Sequence, residues 1–323
     1  MSCFHTEEIF ALIDLLDSRN GSYDEKASKI LASPLAKMFG QFRICDSEVE
    51  ECLNAAFSGR EDLSGLSKDC TELIFYVEKI REREPELRTF FDFIKRDEKQ
   101  IRSKAISMAE EYLPKGASFE GLNVFFIPMP YNANADHKGV YFDPIFALDV
   151  GIEAIEEVMA HEAHHIARNS ITRERLEFDE TPLDQLVYRF VSIECEGIAN
   201  LVSDVSKIPV MKRVALSREK IMGEFEKHLE MLQEVFLNLA QNNISDNEAR
   251  LIMQRSWFGI GSLAPVGMKM ATEIEKELGR EKLIATVGDT VAFLRTYQEV
   301  AFRKSYYLLE DETFLILGKL LGV

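Results

Sequence analysis

One short interruption in an otherwise helical pattern constrains this chain most. Up to about residue 113, apolar residues recur at helical spacing in runs 7–17, 26–39, 47–57, 68–83 and 86–112, punctuated by Asn20-Gly21, Gly40, Ser58-Gly59 and Pro85. Pro114-Lys115-Gly116 ends that pattern. LNVFFIPMP (122–130) and GVYFD (139–143) then carry the β-branched and aromatic content of strands, with the polar stretch YNANADHK read as a loop between them. Helical spacing resumes near residue 149 and recurs in 183–205, 216–242, 246–259, 268–278 and 287–307. The expectation is a mainly α (α+β) protein in three parts. These are a helical subdomain over 1–115, a core over 116–207 with a small sheet packed on its helices, and a helical subdomain over 208–323.

Composition narrows the function classes. The formal net charge of -17 opposes a phosphate backbone or an anionic membrane surface, so neither nucleic acid nor membrane is an expected partner. No apolar run reaches the roughly 18 residues a bilayer span needs. The opening residues lack the basic and apolar regions of a secretory signal, which makes a cytoplasmic location the expectation. The five cysteines are odd in number and form no C-x-x-C pair, so reduced thiols are expected rather than a disulfide framework or a zinc ribbon.

Chemistry concentrates in EEVMAHEAHHIARN (156–169), which holds three of the six histidines. His161-Glu162-Ala163-His164-His165 fits H-E-x-x-H. Histidines four residues apart lie about 40° apart on a helix and can share one Zn²⁺, while the glutamate between them can take a proton from a metal-bound water. Ile152, Ile155, Met159, Ala163 and Ile166 form the apolar stripe, with His161 and His165 on its flank. Glu162 falls between those histidines and the stripe, an expensive place for a carboxylate without compensation. His164 falls near Glu153, Glu157 and Arg168 on the polar side and is excluded as a ligand.

Catalytic zinc takes three protein ligands and leaves one position open. The next strong helix offers Glu194-Cys195-Glu196-Gly197-Ile198-Ala199-Asn200. Glu196 shares a face with Ser192, Asn200 and Ser203, while Glu194 lies nearly opposite, among Val187, Val191, Ile198 and Leu201. Gly197 and Ala199 are small enough for a second helix to come close, and Asn200 could orient a ligand. Helical spacing alone leaves Glu194 and Glu196 both open.

H-E-A-H-H, a 30-residue gap and then E-G-I-A resemble the gluzincin clan of zinc metallopeptidases, in particular its little-characterised zinc-dependent peptidase families. The resemblance covers about residues 120–205. It implies His161, His165 and Glu196 as metal ligands, Glu162 as general base, and a gluzincin-like core. GVYFDP is similar to the edge strand along which such enzymes lay an extended peptide. VGMKMATEIEKELGREKL (266–283) is similar to a helix–glycine–helix pattern in the C-terminal part of such families. There the resemblance implies a tyrosine just before Val266, where this chain has Ala264-Pro265. His137, Tyr131, Tyr141 and Tyr188 are substitute oxyanion donors.

The leading reading is therefore a zinc-dependent metallopeptidase, a hydrolase acting on a peptide or protein through a metal-activated water. No G-x-S-x-G elbow is present, and Cys195 has no evident histidine partner in the sequence, which disfavours covalent catalysis. The alternatives are a metal-binding protein of this fold that lacks peptidase activity or hydrolyses a small amide, and a non-enzymatic helical interaction protein.

Overall fold

A computed structural model describes residues 4–17, 23–58, 62–130, 133–136, 139–203, 212–257 and 263–323. Among them the chain is mainly helical with one small sheet, as the sequence pattern implies. It divides into two compact units, residues 1–104 with 121–159 and residues 105–120 with 160–323.

The first unit contains the helices α1 (Glu7–Asp17), α2 (Tyr23–Leu31), α3 (Lys37–Gln41), α4 (Val49–Ser58) and α5 (Lys68–Glu82), and most of α6 (Glu84–Glu110). The run expected over 26–39 is split because Pro34 cannot continue a helix. Ser33 caps a 3-10 turn over Pro34–Ala36 before α3 begins. The sheet has four strands, β1 (Phe4–His5), β2 (Val124–Phe126), β3 (Ala133–Asp136) and β4 (Gly139–Phe142), in the order β1-β2-β4-β3. β1 and β4 run parallel to β2, and β3 runs antiparallel to β4, with Ala133 opposite Phe142 and Asp136 opposite Gly139.

Two expectations fail at this sheet. The stretch read as a polar loop contributes β3, so GVYF is an inner strand paired on both sides and not an edge. Among the described strands, β1 and β3 are the edges at which an added strand could pair. Phe4, Phe91, Phe126 and Phe142 fill the core beside the sheet, with Phe126 4.6 Å from Phe91 and 5.9 Å from Phe142 between ring centroids. Cys52 and Cys70, both buried, form a disulfide between α4 and α5, which corrects the expectation of reduced thiols. A spacing of 18 residues carries no recognisable motif.

At the end of β4, Asp143 starts α7 (Pro144–Asn169). Its carboxylate accepts from the Phe146 amide at 2.5 Å and the Met129 amide at 3.4 Å, and Pro144, with no N–H, leaves no donor unsatisfied in the first turn. Gly151, at φ 77° and ψ 177°, bends α7 within its length.

The second unit begins inside α7, at Ala160. It contains α8 (Pro182–Val202), α9 (Lys212–Gly223), α10 (Phe225–Ala240), α11 (Asp246–Trp257), α12 (Ala264–Leu278), α13 (Arg280–Ile284), α14 (Thr290–Lys304) and α15 (Asp311–Leu321). Gly279, at φ 88°, and Gly288, at φ 81°, delimit α13, so the expected run over 287–307 starts later, at an Asp289 cap. α15 is an addition to the expected set.

α8 and α12 meet backbone to backbone. A Cβ on Gly197 would stand 2.5 Å from the Gly267 carbonyl carbon, and one on Gly267 would stand 1.9 Å from the Ile193 carbonyl oxygen. No larger residue fits at either position without moving a helix. No helix among the described residues is long and apolar enough to cross a membrane.

Candidate metal centre

α7 carries His161, Glu162 and His165 within two turns, and α8 carries Glu196. Thr181 caps α8 by accepting from the Asp184 amide, and Pro182 follows in the first turn, so the start of that helix is fixed by sequence. Gly197, next to Glu196, is the residue that seats α8 on α12.

His161, His165 and Glu196 converge. Nε2 of His165 lies 3.1 Å from Nε2 of His161, and the two Glu196 oxygens lie 3.4 Å from one histidine Nε2 each. A tetrahedral zinc with bonds of about 2.0–2.2 Å needs donor atoms about 3.3–3.6 Å apart. Each histidine meets a different Glu196 oxygen at about that spacing; taking one ligand atom from each residue, the three lie within 4.8 Å of one another, and this trio could hold a metal ion. His161 Nδ1 is buried and has no partner among the described residues.

The electrostatics are those of a tight acid–imidazole cluster. Burial acts to raise Glu196, but His165 and His161 outweigh it and hold the carboxyl well below its usual range. Burial acts to lower the His165 ring, but the Glu196 carboxylate and hydrogen bonds with Cys195 and Glu196 lift it well above. Glu162 is buried beside them. Desolvation raises its carboxyl, His161 and His165 pull it back, and Glu196 adds to the rise.

Three residues stand differently from the sequence-based expectation. His164, expected on the polar side of the helix near Arg168, is fully buried, as Arg168 is. Nε2 of its ring lies 3.3 Å from the Tyr112 carbonyl, and burial pushes it down to about 3. Cys195 does have a histidine partner, because it hydrogen-bonds His165, while burial raises the thiol. A raised thiol pKa disfavours the thiolate that a nucleophilic role would need. Asn200 donates to the backbone carbonyl of Glu196 at 2.7 Å and accepts from Arg218, so it braces the helix turn and not the carboxylate.

The two glutamates left open by helical spacing are separated here. Both oxygens of Glu194 are occupied away from the trio. Oε2 accepts from Arg168 Nε at 3.0 Å and Nη2 at 2.7 Å, and Oε1 accepts from the Gly288 amide at 2.9 Å. The signal missed in the sequence was Arg168, which looked like a surface charge three residues past His165 and is 1% exposed.

Among the oxyanion candidates, His137 and Tyr131 lie outside the described residues. Tyr141 is buried on β4 in the first unit, with the Lys37 ammonium 3.8 Å from its ring centroid. Tyr188 is on α8, two turns before Glu196, and is 47% exposed. Burial raises its hydroxyl, and the charges of Cys195, Glu196 and His165 act on it.

Fold and donor set together describe a mainly helical protein with a candidate centre for one metal ion. The chain belongs to the family described as "Putative zinc dependent peptidase (DUF5700)", which it matches over residues 27–306. No curated protein and no solved structure matches it.

Proposed function

We propose that this protein is a zinc metallopeptidase in which His161, His165 and Glu196 hold the ion and Glu162 manages the proton. The observation that carries the reading is that two Nε2 atoms 3.1 Å apart each lie 3.4 Å from one oxygen of the Glu196 carboxylate, with the buried Glu162 beside them. An ion held by His161, His165 and Glu196 would supply Lewis acidity, making a water acidic, toward a pKa of about 7, and polarising a scissile carbonyl. Glu162 accepts the proton of the attacking water at its carboxylate. Once protonated, Glu162 can pass that proton to the departing amine. Tyr188 is the described candidate whose hydroxyl shares the electrostatic environment of the trio, and it donates to the substrate oxygen as charge develops. Family membership supports zinc and peptide hydrolysis at the level of class.

A second reading, metal binding without peptide hydrolysis, is favoured by Ala264-Pro265. These residues open α12 where the gluzincin resemblance implies a tyrosine.

Metal analysis with peptide cleavage separates the two. The expected result is one zinc per chain, lost in Glu196→Ala and kept in Glu162→Gln, with cleavage of a peptide library falling about 10²–10⁴-fold in Glu162→Gln. Zinc retained in Glu196→Ala would remove that residue from the ligand set. Zinc bound by the wild type without Glu162-dependent cleavage would establish the second reading.

A further inference from the structure

Beneath the donor trio lies a second cluster of charges that neither holds the ion nor touches a substrate. Arg168 (α7), Glu174 (in the segment between α7 and α8) and Glu194 (α8) are all buried in the second unit. Arg168 Nη2 donates to Glu194 at 2.7 Å and to Glu174 at 2.9 Å, while Nε donates to Glu194 at 3.0 Å. The remaining acceptor positions are filled as well. The Gly288 amide meets Glu194 Oε1 at 2.9 Å, and Glu174 accepts from the Thr290 amide at 2.5 Å and the Thr290 hydroxyl at 2.9 Å.

Buried ion clusters gain little net stability over apolar residues of equal volume, because desolvation offsets the attraction, but their directional bonds admit few alternative registers. The location of this one makes register matter. Arg168 is one helical turn past His165, and Glu194 is two residues before Glu196. A slip of one residue along either helix moves a ligand by about 1.5 Å, enough to open the donor triangle. The Gly288 and Thr290 bonds also tie both carboxylates to the turn that starts α14. The cluster therefore fixes the ends of α7 and α8 against a common third element.

We propose that Arg168, Glu194 and Glu174 are positioning residues that hold the α7 and α8 ligands at metal-binding separation and so set the affinity of the centre. This rests on the trio being the zinc site, and wild-type zinc stoichiometry tests that separately. If the wild type binds no zinc, the site assignment fails before the positioning role is reached.

With wild-type binding established, the informative variants are Arg168→Lys, which keeps the charge and loses the fork, and the double variant Arg168→Met/Glu194→Gln, which keeps an acceptor for the Gly288 amide without the ion pair. Leu317→Ala, a cavity in the buried face of α15, is the control for general loosening. Folded variants, checked by circular dichroism, should bind zinc about 10–100-fold more weakly. With Co²⁺ in place of zinc, they should show an altered visible absorption band. Leu317→Ala should change neither. Wild-type affinity and spectrum in both Arg168 variants would overturn the proposal, as would an equal loss in Leu317→Ala. If neither Arg168 variant folds, the cluster is a requirement for folding rather than for positioning, and the proposal is overturned too.

Discussion

The two units solve the problem of a core in different ways. The first is built from aromatic stacking around Phe126 and from a disulfide, with Asp143 as a buried acid at a helix start. The second buries His161, Glu162, His164, Arg168, Glu174 and Glu194 among its helices, and closes α8 on α12 with glycine against backbone. Apolar packing tolerates substitution in proportion to the volume lost, whereas a polar core depends on every partner being in place. The first unit is therefore expected to respond gradually to change, and the second abruptly.

The sharpest way to break this contrast is Gly267→Ala. A Cβ 1.9 Å from the Ile193 carbonyl oxygen meets backbone that cannot rotate away, so a loss of about 4 kcal/mol or more is expected, together with loss of bound zinc. Thermal unfolding and metal analysis check it; an unchanged melting temperature would remove the close helix contact from the account. Next in size, replacing Cys52 and Cys70 with alanine should lower the stability of the first unit by about 3 kcal/mol, read from urea midpoints, since the bridge closes a loop of 18 residues.

The smallest effect is pH-dependent. Burial pushes Asp143 up to about 7, against hydrogen bonds from Tyr76 and from the Phe146 and Met129 amides. Its unfolded value is about 3.9, so the folded state holds the proton more tightly, and stability falls as pH rises from about 4 to about 7, then levels off. The unfolding free energy from urea titrations should thus be higher at pH 5.5 than at pH 8, by at most about 1.4 kcal/mol per pH unit for this group. Asp143→Asn should flatten that part of the profile, and an equal slope in the variant would assign it elsewhere.

Legibility in the sequence followed the range of the interaction. The H-E-x-x-H pair was readable because a helix fixes what lies four residues on, and Gly197 was readable as a point of close approach because a missing side chain leaves room. Glu194 and Glu196 could not be told apart by spacing, since the partner that occupies Glu194 is Arg168 on another helix. β3 was hidden because ANAD has no strand-forming residues and is held by pairing with β4. β1, two residues long, is likewise defined by its neighbour. The Cys52–Cys70 pairing depends on how α4 and α5 meet, which no local pattern encodes.

The link between Glu194 and the Gly288 amide bears on transplantation of this centre. Grafting H-E-A-H-H and E-G-I-A onto two helices of a foreign scaffold would carry over the proposed donors and leave behind the residues proposed to orient them. On the proposed ligand set and positioning role, a working graft has to include the Arg168 turn, Glu174, the 288–290 turn and a glycine-bearing counterpart of α12. The smallest portable version of the site is four discontinuous pieces of chain, and a motif search limited to two of them will match scaffolds that lack the means to aim their ligands.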